Sequence, residues 1–131
     1  MKFKYKNYGS GIIRPVIPIN LVANDISVPY EVLVDSGADM CIFDAQLAVI
    51  LNINVKDGEE SYLTVATGDV EPFYIHRIGI KVGGWRYNTK AGFLPRIAKT
   101  GYGIVGQKGF FDTFVVKFDL LKEEVELKQR A

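Results

Sequence analysis

The sequence predicts a single all-β domain, residues 1–131, with one short helix and a small closed or folded sheet. Three observations predict it. Short runs rich in β-branched and aromatic residues recur along the chain, turn signals separate them at close intervals, and only one stretch has helical spacing. With 131 residues, 48% of them hydrophobic and 24% charged, the chain has room for one modest core. No linker, low-complexity stretch or repeat divides it.

Ile12 to Val22 reads as a strand in which Pro15 and Pro18 mark an edge. Asn24-Asp25 supplies a hairpin turn, and Val28 to Val34 returns as a second strand ending in Val32-Leu33-Val34. Asp44 caps a short helix whose Leu47, Ile50 and Leu51 share one face, and Asn52 suits its end. After the turn signal Asp57-Gly58, Tyr62 to Val65 and Val70 to Ile75 read as strands joined by the tight reversal Thr67-Gly68-Asp69. Ile78 to Val82 alternates, Gly83-Gly84 is a two-residue hairpin turn, and Trp85, Tyr87, Thr89, Ala91 and Phe93 share one face of the next strand. Pro95 and Gly101 to Gly103 bracket an irregular connection ahead of Ile104-Val105-Gly106. Gly109 to Asp112 suits a helical turn, and Phe114 to Phe118 with Val125 to Lys128 forms a last hairpin.

The scarce residues narrow the chemistry. Cys41 is the only cysteine and His76 the only histidine, which excludes an intrachain disulfide, a Cys-rich zinc site and a multi-His metal centre. Cys41 sits in an apolar run and reads as inert core, His76 reads as a surface or packed histidine without chemistry, and Trp85 as a packing aromatic. The formal charge of +1 argues against a nucleic-acid partner. No stretch is apolar for long enough to be a membrane-spanning helix, and Met1 to Tyr8 lacks the apolar run of a secretory signal, so a cytoplasmic location is expected. Carboxylates, hydroxyls, amides and backbone groups remain for chemistry.

The most informative stretch is Val32-Leu33-Val34-Asp35-Ser36-Gly37-Ala38-Asp39. An apolar strand runs straight into a carboxylate, and the apolar Met40-Cys41-Ile42-Phe43 follows. A carboxylate this close to a core needs partners. Two readings of Asp-Ser-Gly stay open here: a local Asx-type turn, or a reactive carboxylate with its positioning residues.

In this order of motifs the chain resembles the retropepsin-like aspartic proteases, single-domain relatives of pepsin. Asp35-Ser36-Gly37-Ala38-Asp39 is followed by the helix from Asp44, a candidate flap tip at Thr67-Gly68-Asp69, and Ile104-Val105-Gly106. The run Gly106 to Asp112 is similar to the prokaryotic branch in particular. The match spans residues 12–128.

The resemblance implies a small barrel-like acid-protease fold and an aspartic endopeptidase acting on polypeptides as a homodimer, with no cofactor or metal. Asp35 of each subunit would contribute to a catalytic dyad that holds one proton between two carboxylates. Ser36 would lock the pair's geometry and Gly37 would let backbone approach it. Asp39 and Ala38 would bind substrate backbone, Thr67 and Gly68 would form the flap, and Ile104, Val65 and Val70 would line subsites. Where retroviral members place an arginine paired with the second Asp, this chain has Gln107, so Lys108 or Arg14 is expected to compensate or Asp39 to be held less rigidly. Residues 1–11 stand as a flexible N-terminal arm, and Val125 to Lys128 as a strand able to pair at an interface. Two rival readings remain: a non-catalytic dimeric module of the same fold that binds peptides, and a small barrel in which Asp35 is only a turn residue.

Overall fold

The structure, a computed structural model, describes residues 1–64, 67–95 and 101–130. In chain order the strands are β1 (Lys2–Lys4), β2 (Lys6–Asn7), β3 (Ile13–Arg14), β4 (Val16–Ala23), β5 (Ile26–Val34) and β6 (Ile42–Asp44). The helix α1 (Ala45–Ile50) and a 3-10 turn at Val55–Asp57 follow. Then come β7 (Glu59–Thr64), β8 (Val70–Val82), β9 (Trp85–Leu94), β10 (Gly103–Val105), β11 (Phe114–Asp119) and β12 (Glu124–Gln129). The fold is all-β with one short helix, as the alternation predicts.

The main sheet runs β4-β5-β10-β6-β9-β8-β7, and an additional β4–β8 pairing bends it into a ring. The closing strand is β8. The sequence suggests two strands there, but the residues form one continuous strand of 13, because β9 pairs beside it from Tyr74 to Val82 without a break. The N-terminal part of β8 pairs with β7, and Gly79 to Lys81 pair with Val22 to Asn20 of β4. β7 and the start of β8 therefore project from the ring as a hairpin.

Inside lie Ile17, Leu21, Val32, Phe43, Ile80, Phe93, Val105, Phe110 and Phe114, all buried. Phe43 meets Phe93 edge-on at 6.0 Å, and Phe110 packs on Phe114 at 5.1 Å. On β9 the odd-numbered residues from Trp85 to Phe93 face inward as predicted, and Trp85 stacks on Tyr87 at 5.2 Å.

Four local expectations differ from the structure. The helix is capped by Asp44, which accepts from Gln46 N–H at 2.9 Å, and ended by Asn52 at φ 58°. Its inner face, however, is Ala45, Ala48 and Leu51, with Leu47 half-buried and Ile50 exposed. The helix is short, and small residues let it lie close on the sheet. Residues 1–11, expected as a flexible arm, instead carry two paired strands. β1 pairs with β12, β2 pairs with β3, and Phe3 and Tyr5 pack against the core. Finally, β12 lies between β1 and β11, so Glu124 to Leu127 are paired on both edges within the chain, and only Lys128 and Gln129 lack a neighbour on the β1 side. The long first strand also divides at Pro15, whose ring leaves no N–H for a ladder.

Candidate functional site

Asp35 stands where β5 leaves the sheet. Val32, Leu33 and Val34 pair in parallel with Gly103, Ile104 and Val105 of β10, and Asp35 N–H extends that ladder to the Val105 carbonyl at 3.0 Å. Two apolar strands thus run side by side and end together, one in Asp35-Ser36-Gly37 and the other in Gly106-Gln107. The Asp35 side chain is half-buried, while Ser36 and Gly37 are exposed.

The Asx turn is present: Asp35 Oδ1 accepts from Gly37 N–H at 2.9 Å, and Ala38 N–H reaches the Asp35 carbonyl at 3.2 Å. A Cβ at position 37 would sit 3.2 Å from that same Oδ1. The Asx turn also fixes the direction of the Asp35 carboxylate, so its presence does not by itself decide between the two readings.

The second strand braces this loop. Gln107 N–H and Lys108 N–H donate to the carbonyls of Ala38 and Asp39 at 2.8 and 3.0 Å. Gly106 is required by this crossing, since a Cβ there would meet the Ala38 and Met40 carbonyl oxygens at 2.6 Å. The Gln107 side chain reaches the Ser36 carbonyl at 3.0 Å. Sequence reasoning left Gln107 as a gap in the pattern, and the structure makes it a clamp.

Asp39 is exposed, and its carboxylate has no ion pair or hydrogen bond among the described residues. Neither expected substitute reaches it. The Arg14 guanidinium donates to Tyr102 Oη at 3.1 Å and lies over the Tyr8 ring at 5.4 Å, while Lys108 meets Asp39 only through backbone. Among the described residues, neither Arg14 nor Lys108 supplies the Asp39 carboxylate with a side-chain partner.

Ala38 and Asp39 open onto a cleft of about 360 Å³ whose other walls are Met40 and Ile42, and Ser61, Tyr62, Leu63 and Phe73 of the projecting hairpin. Those six residues were not picked out from sequence; the alternation of Met40 and Ile42 after Asp39 was the one available signal. At the hairpin's reversal, Thr67 Oγ1 donates to Asp69 Oδ2 at 3.1 Å and Gly68 adopts φ 89°. A Cβ on Gly68 would touch nothing within 4 Å, so its glycine serves the turn's backbone and not packing. Thr67 and Gly68 are not on the cleft wall, nor is Val70, which is exposed. Ile104 is half-buried on β10, opposite Leu33 and Ile42. Val65 lies outside the described residues.

Cys41 and His76 are packing residues. Burial pushes the Cys41 thiol up to about 12. His76 Nε2 lies 2.7 Å from the Val55 carbonyl, and its ring meets Phe93 edge-on.

Residues 19–108 match the family model described as aspartyl protease. Three solved structures share the fold. A retropepsin-like aspartic protease from Rickettsia conorii superposes with a TM-score of 0.65 at 14% identity, over 97% of this chain and 88% of that one. The retroviral protease-like domain of Ddi1 from Leishmania major gives 0.56 at 15%, over 86% and 87%. EIAV protease complexed with the inhibitor HBY-793 gives 0.54 at 20%, over 78% and 88%. No curated protein matches the chain.

Proposed function

The chain belongs to the aspartyl protease family, and from that premise we propose that it is an aspartic endopeptidase active as a homodimer. Asp35 of each subunit meets its counterpart across a twofold axis. One carboxylate, ionised, takes a proton from a bound water, and the water oxygen attacks the peptide carbonyl. The other, protonated, donates to the carbonyl oxygen as the tetrahedral intermediate forms. Collapse of that intermediate returns a proton to the departing amine and leaves a new carboxyl group. Ser36 and Gly37 keep the pair in register. Asp39 and Ala38 take the substrate backbone under the hairpin, which acts as the flap.

One observation carries this reading: the Asp35 carboxylate is held by the Gly37 N–H on a loop braced by Gln107 and Lys108, which follow β10. A surface Asx turn has no need of such bracing. The flap-side cleft beside Asp39 supports a polypeptide as the occupant.

The test is Asp35→Asn, which preserves shape and the acceptor for Gly37 N–H while removing the ionisable group. Hydrolysis of a peptide library is expected to fall by at least about a thousandfold, with the melting temperature and the mass in solution unchanged. A wild-type particle of single-chain mass at micromolar concentration would exclude the shared dyad. Tight peptide binding without hydrolysis by the wild type would favour the non-catalytic module.

A further inference from the structure

A second cleft, of about 640 Å³, opens beyond the first, and Met40 lies on the wall of both. Arg77, Lys90, Lys108, Glu59 and Asp112 also line it. Arg77 and Lys90 stand directly opposite each other in the β8–β9 ladder. Four residues along, Lys81 stands opposite Arg86, so the outer face of this hairpin carries two like-charge pairs. All four side chains are exposed. Directly opposed like charges repel, and an anion between them removes that cost.

Among the described residues, the side chains of Arg77, Lys90 and Lys108 have no ion-pair or hydrogen-bond partner. Of the two acids in the lining, Asp112 is committed: its Oδ1 accepts from Gly109 N–H at 3.0 Å and from the Thr113 hydroxyl at 3.4 Å. Both donors are neutral, so Asp112 keeps its charge, and the lining sets three unpaired cations against two carboxylates. The aromatic residues of β9, Trp85 and Tyr87, are on its inward face, so the outer face has no platform for stacking bases. The two cation pairs lie about 14 Å apart along the strands, a spacing that carboxylates four residues apart on an extended peptide reproduce.

We infer that this cleft is a distal subsite of the peptide groove, which takes acidic side chains from a substrate segment flanking the scissile bond. The inference rests on the proteolytic reading above and adds a substrate class to it. Met40 is the hinge of the groove: a peptide lying along Ala38 and Asp39 under the flap passes it to enter the basic cleft.

Peptides with one central sequence, flanked on both sides by Glu/Asp, by Gln/Asn or by Lys, test this. The wild type is expected to favour the acidic-flanked peptide over the neutral one by about tenfold in kcat/KM, through KM, with the difference shrinking as salt is raised. Arg77→Glu/Lys90→Glu, at two exposed positions, is expected to lose that preference, to favour the Lys-flanked peptide, and to cleave the neutral one as the wild type does. Equal KM for acidic and neutral peptides in the wild type, or a preference that survives the double variant, overturns the assignment. Binding of the labelled acidic-flanked peptide to Asp35→Asn protein separates the two readings. Charge-dependent binding that the double variant loses upholds the cleft even if the wild type cleaves nothing. Tighter displacement of that peptide by a short single-stranded oligonucleotide than by unlabelled acidic peptide overturns the cleft's assignment to acidic peptides.

Discussion

Gln107 donates its side-chain amide to the Ser36 carbonyl at 3.0 Å, so the segment that follows β10 holds the loop that carries Asp35. The bond joins residues 71 apart in sequence. It is exposed, so its effect on stability is small, but it restrains the turn from which the carboxylate is aimed.

Gln107→Ala is therefore expected to cost about 1 kcal/mol in urea unfolding and to lower kcat by about tenfold through a looser catalytic loop. Gln107→Glu replaces the donor with an acceptor facing a carbonyl, and is expected to lower kcat further. Equal kcat in all three proteins would show that the clamp does not position Asp35.

Gly106 and Gly68 are expected to respond differently to alanine. At Gly106 the new Cβ meets two backbone carbonyls, which cannot move without parting the strands, so the loss is about 3 kcal/mol or more. At Gly68 there is open space and only the positive φ to penalise, a loss of about 1 kcal/mol confined to the hairpin. Denaturant midpoints rank the two.

Cys41 should be silent to thiol reagents at pH 8 until the protein unfolds, because burial holds the thiol at about 12. Above the ordinary value of 9.0 the unfolded chain loses this proton and the folded chain keeps it. The folded state then binds more protons, so this group lowers stability as pH rises from about 9 towards 12. Labelling kinetics with and without denaturant check the first statement, and Cys41→Ala should flatten the alkaline loss.

Deleting residues 1–5 removes β1 from β12, the exchange of hydrogen bonds between Met1 and Leu127, and the packing of Phe3 and Tyr5. A loss of about 3 kcal/mol is expected, read as a lower midpoint in thermal unfolding. An unchanged midpoint would mean that these residues contribute nothing to the core sheet.

Most of the strands were legible because alternation and turn chemistry are local. Trp85 to Phe93 faced inward as their period of two required, and Gly83-Gly84 turned the chain between β8 and β9. Ile50 misled because a six-residue helix has too few turns for its apolar face to be unambiguous. The division expected inside β8 failed for a different reason: β9 runs alongside and continues the ladder through His76 and Arg77.

By themselves, the residues of this chain determined an all-β domain and drew attention to one carboxylate at the end of an apolar strand. Scarce His and Cys left little other chemistry, and the ordered motifs pointed to a family. Tertiary structure decided what surrounds that carboxylate. Only folding sets β5 beside β10, brings Gln107 to Ser36 and, among the described residues, leaves Asp39 without the partner its motif suggested. It also gathers Arg77, Lys90 and Lys108 at one cleft in a chain of nearly balanced charge. Strand character is a property of neighbours in sequence, whereas a site is made by residues that the ring of strands brings together.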